Sequence, residues 1–185
     1  MKWREAIAEL IRLHQHIRDM DAENIWANEL PRIPATAEDI HQAEQRLGIE
    51  LDERFRDFLS VANGWRAFYQ WVDLFGTDDL IGEPMRRAEM RLDELARAGV
   101  LSQSGVSRED VLPIAMTREG QGATTPDLFG IVLPTHQGAG TVVWFSDEEV
   151  DRFSSFDEFY LAMLDYNREE IKDLSKEARE QKRTM

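Results

Sequence analysis

The sequence predicts an α+β fold: a mainly antiparallel sheet of four to six strands packed against helices. Three observations carry this. Helical stripes and strand-like runs follow each other as helices, strand, helix, three strands, helix, which is not the alternation of a doubly wound sheet. The strand candidates are short runs rich in aromatic and β-branched residues, bounded by Gly, Pro and polar turns. The helix candidates carry apolar residues at three- and four-residue spacing, with capping residues in front.

In chain order, Trp3, Ile7, Leu10, His14 and Ile17 make one face of a helix from Trp3 to Met20. His14 lies on that stripe and His16 off it, so the pair does not converge on a metal and His14 reads as a semi-buried structural residue. "NELPRIPATAEDI" is a connector that Pro31 and Pro34 hold extended. Thr36 caps the next helix with Asp39 three residues on, Ile40, Ala43 and Leu47 face inward, and Gly48 stops it. Asp52 caps a third helix whose buried face is Phe55, Phe58, Leu59 and Ala62. Asn63 and Gly64 both tolerate positive φ and end it. "FYQWVDLF", Phe68 to Phe75, reads as one strand, and "TDDLIGEPM" as a turn. Pro84 to Ala98 is helical, with Met85, Ala88, Leu92 and Leu95 inward. Strands follow around Val111 to Met116, in "DLFGIVLP" and in "GTVVWFS". Ser154 or Ser155 caps the final helix, with Asp157 or Glu158 completing the box. Its stripe is Phe156, Phe159, Tyr160, Met163 and Leu164. Between Arg168 and Thr184 only Ile171, Leu174 and Ala178 are apolar, and Glu169/Lys172, Asp173/Lys176 and Glu180/Arg183 are i,i+3 pairs. The chain is thus expected to be a single domain over 1–185, with a leading helix in 1–29 and a charged helical extension over 167–185.

Length and composition restrict the function. At 185 residues the chain can bury a sizeable core without a staple. It has no cysteine, which excludes disulfides, thiol catalysis and zinc-thiolate sites and fits a cytoplasmic setting. The formal charge is −14. The tail after Asn167 holds six basic and five acidic residues, so the body carries −15. Such a field repels nucleic acid and anionic membranes and attracts a basic protein. "MKWREAIAEL" carries charges where a signal peptide needs an apolar run, and no apolar stretch is long enough to span a bilayer.

Chemistry has little to stand on. Glu44, Asp57, Asp73 and Asp127 are carboxylates that no spacing pairs. Ser, His and Asp occur without a nucleophile elbow. "EGQG" is too short for a phosphate loop, and His136 sits in a turn. No metal and no cofactor are expected, and the chain does not read as an enzyme. The candidate partner-binding residues are Trp65, Trp71, Asp73, Asp78, Asp79 and Glu83, since tryptophan beside carboxylates suits an anchor with a charged rim. The competing reading makes both tryptophans core and the acids turn residues.

Glu44, Leu47, Gly48, Leu51, Phe55, Phe58, Leu59, Asn63 and Gly64 fall in the order and spacing of a signature. They resemble the SUKH superfamily of the Smi/Knr type, whose pattern runs Glu, Leu-Gly, Leu-Pro, aromatic, Phe-Leu, Asn-Gly. Asp52 stands where that family usually has Pro, and both residues start helices. Pro113, Ile114 and Ala115 resemble its Pro-Ile-Ala strand. Ser155, Phe156 and Phe159 resemble its Ser-Phe-x-x-Phe helix start. Trp3 resembles the tryptophan of its leading helix. The loop "TREGQGATT" departs from the family's glycine-acidic pattern. The resemblance covers about 30–166. It implies a non-enzymatic binding domain, either a bacterial immunity protein that neutralises a toxin domain such as a nuclease, or an intracellular regulator of the cell-wall assembly type.

Overall fold

The computed structural model describes residues 1–21, 27–118, 120, 125–134 and 137–184, with side chains through 176. His136 and most of the "EGQG" loop lie outside the described residues, as do the side chains of Ala178, Glu180 and Arg183.

Three helices come first: α1 (Trp3–Met20), α2 (Ala37–Leu47) and α3 (Glu53–Leu59). Helix α2 starts on a reciprocal box, in which Thr36 Oγ1 accepts from Asp39 N at 3.1 Å and Asp39 Oδ2 accepts from Thr36 N at 2.8 Å. Gly48 closes it at φ 70°, in the left-handed region. Helix α3 starts on Asp52, whose Oδ1 accepts from Arg54 N and Phe55 N at 3.0 and 3.1 Å.

The expected single strand over 68–75 is two strands, β1 (Trp65–Tyr69) and β2 (Val72–Leu74). Ala67 and Gln70 both take φ 50°, and the register shifts between Trp65 and Tyr69. Ala67 N donates to the side-chain Oδ1 of Asp73 in β2 at 2.8 Å. No Gly or Asn marks this turn, so the run of strand-forming residues reads straight through it. "TDDLIGEPM" likewise contains a helical turn, α4 (Thr77–Leu80), before α5 (Glu83–Arg97). After α6 (Val100–Gln103) and a 3₁₀ turn (Arg108–Asp110) come β3 (Val111–Thr117), β4 (Leu128–Val132), β5 (Val142–Phe145) and β6 (Glu149–Phe153). Strand β6 was not anticipated. Its sequence "EVDRF" offers little apolar alternation, because it is a sheet edge whose residues are largely solvated. Helix α7 (Phe156–Thr184) ends the chain. Ser155 Oγ accepts from Glu158 N at 3.2 Å, and the Glu158 carboxylate reaches back to Ser154 N.

The six strands form one antiparallel meander in the order β1-β2-β3-β4-β5-β6. All residues of β3 and β4 are buried, which requires cover on both faces. Phe129 and Phe153 meet Phe159 of α7 on one face, and α5 packs against β3 and β4 on the other. Helices α1 and α3 pack against α7. Trp3, Phe55, Phe58, Phe156 and Tyr160 join there in ring contacts of 5.0–5.9 Å between centroids. Phe55, Phe58, Leu59, Phe156 and Phe159 are fully buried, while Trp144 is half-buried.

Candidate functional site

Directional bonds between distant residues concentrate at one corner, where the connector before α2 crosses the β1–β2 hairpin and α4. The connector is bonded along its length. Trp65 Nε1 donates to the Glu29 carbonyl at 2.7 Å. Arg32 N donates to Gly64 O at 3.1 Å, Asn63 N to Ile33 O at 3.3 Å and Ala35 N to Leu59 O at 2.9 Å. The Arg32 guanidinium pairs with the Asp79 carboxylate, which also accepts from Gly76 N at 2.8 Å. Arg118, next to the end of β3, donates to Asp73 Oδ1 at 2.8 Å and to Glu29 Oε1 at 3.0 Å. Both hydrogen bonds hold its guanidinium in the charged form, the bond to Asp73 most strongly.

The Asn63-Gly64 stop works differently from the expectation. Helix α3 ends four residues earlier, with Ser60 still in the right-handed region. Only Gly64 takes positive φ, at 81°. The Asn63 side chain is a clamp: its Oδ1 accepts from Thr77 N at 2.8 Å and its Nδ2 donates to Thr77 Oγ1 at 3.0 Å. The approach is so close that a Cβ on Gly64 would lie 2.5 Å from Gly76 N.

Trp65 has no exposed surface, and its ring stacks edge-on to His14 at 5.4 Å. It belongs to the core and cannot touch a partner, because its indole N–H is already committed to the connector carbonyl. Trp71 is half-buried. Asp73 is held by Ala67 N and Arg118, Asp79 by Arg32 and Gly76 N, and Glu83 is bonded to Arg86 at 2.8 Å. Asp78 is exposed, with no bonding partner among the described residues. The corner therefore gathers Asp73, Asp78, Asp79 and Glu83 near the hairpin, but three of the four already have cationic partners.

The signature residues make structure elsewhere too. Glu44 Oε1 accepts from Leu51 N at 3.0 Å and from Arg56 at 2.6 Å, which fixes the α2–α3 turn around Gly48. Leu47 is half-buried and Leu51 buried. Pro113 lies in β3 where the register with β4 shifts, as a strand residue without an N–H requires. Asp127 accepts from Trp144 Nε1 at 2.9 Å at the start of β4, and burial raises its pKa above the ordinary carboxylate value. Glu44, Asp73 and Asp127 thus have separate structural partners and form no pair. Among the described residues no group of three or more His, Cys, Asp or Glu could hold a metal ion. No helix among them is long and apolar enough to cross a membrane.

Sequence reasoning passed over Arg32, Glu29, Thr77 and Arg118, whose partners lie 14 to 89 residues away. It also passed over Leu30 and Ile33, which are 67% and 85% exposed. Their signal was present in "LPRIP": apolar residues directly before prolines, in an extended stretch with no period that could bury them.

Fold and corner together define a class, an α+β domain whose polar side chains hold one connector across a hairpin. Residues 34–162 match the model of the SMI1 / KNR4 family (SUKH-1), and the chain belongs to that family. A comparison with curated proteins gives no match. Membership is consistent with an immunity-protein or a regulator domain.

Proposed function

We propose that the protein is an immunity-type binding domain that engages a basic toxin domain, a nuclease being the favoured class, and neutralises it in the cytoplasm. Family membership supports the binding role. The observation that selects a basic partner is the −15 of the body against a nearly neutral tail. Rim carboxylates act chiefly on the rate of encounter, so the charge is suited to fast capture of a toxin before it acts. The bonded corner supports the reading as well, because a surface fixed before binding loses little conformational freedom on contact.

The test is co-expression with the toxin domain encoded beside this chain's gene. Survival of cells that carry both, death of cells that carry the toxin alone, and a co-purifying complex are the expected results. Death in both cases, with no complex between the purified proteins, would overturn the immunity reading and favour a regulator of cell-wall assembly type.

A further inference from the structure

Leu30 and Ile33 are the two most exposed large apolar side chains of the described chain, at 67% and 85%. Isolated exposed apolar residues are ordinary on protein surfaces. These two differ in how they are held. Pro31 and Pro34 fix the backbone directly after each. The main chain around them is bonded at Glu29, Arg32, Ile33 and Ala35 to β1, the α3–β1 turn and the end of α3. The guanidinium between them is bonded to Asp79. Those bonds lie on the inner side of the connector and leave both apolar side chains in solvent. A flexible loop could fold such side chains onto the body; this connector cannot.

Their electrostatic setting is one-sided. Residues 27–39 and 76–83, brought together by the packing of α2 on α4, hold Glu29, Glu38, Asp39, Asp78, Asp79 and Glu83 against the single cation Arg32. Arg118 pairs with Glu29 and Arg86 with Glu83, which still leaves three carboxylates in excess. Met90, the next most exposed apolar side chain at 65%, lies instead among mixed charges, with Arg86, Arg87 and Arg91 balanced by Glu89, Asp93 and Glu94.

We propose that Leu30 and Ile33 are the anchors of the partner-docking surface, with Asp78, Glu38 and Glu83 as its rim, and that the occupant is a protein with an apolar recess ringed by Lys and Arg. This rests on the reading of the chain as a binding domain. The two apolar side chains supply the desolvated centre and the carboxylates the surrounding orientation, the usual division of an interface. Because the connector is already ordered, burying these side chains has little backbone entropy to overcome.

The test is photo-crosslinking in the cells that natively make the protein, with p-benzoylphenylalanine replacing Ile33 in one chain and Met90 in another. The crosslinked protein is identified by mass spectrometry, purified and titrated against the unmodified chain. The expected result is an adduct at 33 and none at 90. The captured protein should be basic, should bind the wild type, and should bind Ile33→Ser at least tenfold and Leu30→Ser/Ile33→Ser at least a hundredfold more weakly. Asp78→Asn should slow association severalfold at low salt with little change in dissociation. Both anchors are exposed, so melting temperatures should stay at the wild-type value and exclude misfolding as the cause. An adduct at 90 alone overturns the surface but leaves the binding-domain reading intact. Adducts at neither position also overturn the surface, while the binding-domain reading stands or falls on the co-expression test. Capture of an acidic protein, or affinity unchanged in the double variant, also overturns the surface.

Discussion

The aromatic cluster under α7 is buried and the clamped corner at the connector is only partly so, and the two are held together by different physics. In the cluster, Phe55, Phe58, Phe156 and Tyr160 meet through ring contacts that place few demands on direction. In the corner, Asn63, Trp65 and Arg32 each satisfy one partner residue in one geometry, and Arg118 bridges two, Asp73 and Glu29. The first arrangement stabilises the fold by removing area from water. The second positions a segment and contributes less energy per contact, since each intramolecular bond replaces a bond to water. Substitutions in the cluster should therefore lower stability, and substitutions in the corner should displace the connector more than they unfold the protein.

The largest expected effect tests the first half of that contrast. Phe58→Ala removes a fully buried ring that touches Trp3, Phe156 and Tyr160, and should cost about 3–5 kcal/mol in a denaturant titration. A loss below about 1 kcal/mol, the size of a surface change, would contradict the burial.

His14 stands at the junction of the two regions, with its ring against Trp65. Burial lowers its pKa to about 4, partly opposed by a hydrogen bond with the Phe68 backbone, and its Nδ1 has no partner. An unfolded histidine titrates near 6.5, so between pH 6.5 and 4 the unfolded chain binds a proton that the folded chain refuses. The stabilisation is complete above 6.5, falls as the pH drops, and is gone below about 4. Its ceiling is about 3 kcal/mol. The measurement is the pH dependence of unfolding for wild type minus His14→Phe. A difference flat from pH 7 to 4 would show that the buried ring does not resist protonation.

Legibility follows the same division. Helix α1 lies where its stripe of Trp3, Ile7, Leu10, His14 and Ile17 places it, because the period alone marks a helix interior, even where Lys2 makes no side-chain cap bond. The Thr36 box, Gly48 and the Asp52 cap are local in sequence and were equally readable. The β1–β2 turn was not, because Gln70 adopts positive φ without being Gly or Asn, and what stabilises the distortion is Asp73 reaching back to Ala67 N. Trp65 could be read as an interface anchor for the same reason: its indole partner is a carbonyl 36 residues away. A pattern-based reading sees which residues are apolar or charged, but not which distant group each one faces.

Asn63→Ala tests the second half of the contrast. It leaves Thr77 N without its acceptor in a part-buried site and should cost about 1–3 kcal/mol. Its more informative readout is hydrogen exchange. The amides of Arg32 and Ala35, bonded to Gly64 and Leu59, should exchange faster while those of α7 keep their protection. Uniform acceleration across the chain would mean that the corner is part of the global folding unit and not a separately clamped element.

The smallest effect separates two adjacent carboxylates. Asp79 is bonded to Arg32 and to Gly76 N with its side chain 17% exposed, whereas Asp78 faces solvent with no partner among the described residues. Asp79→Asn removes a partly screened charge pair but keeps an oxygen that can accept from Gly76 N, so it should cost about 1 kcal/mol. Asp78→Asn removes only an exposed charge from an already acidic corner and should stay within about 0.5 kcal/mol of wild type, in either direction. The two substitutions are chemically identical and one residue apart, so composition and net charge cancel between them. Any excess destabilisation at Asp79 reports the clamp itself, and raising the salt should shrink that excess only modestly because the pair is partly buried. Equal values for the two variants would mean that the Arg32–Asp79 pair holds nothing in place, and that the hydrogen bonds of the backbone, Asn63 and Trp65 alone position the connector.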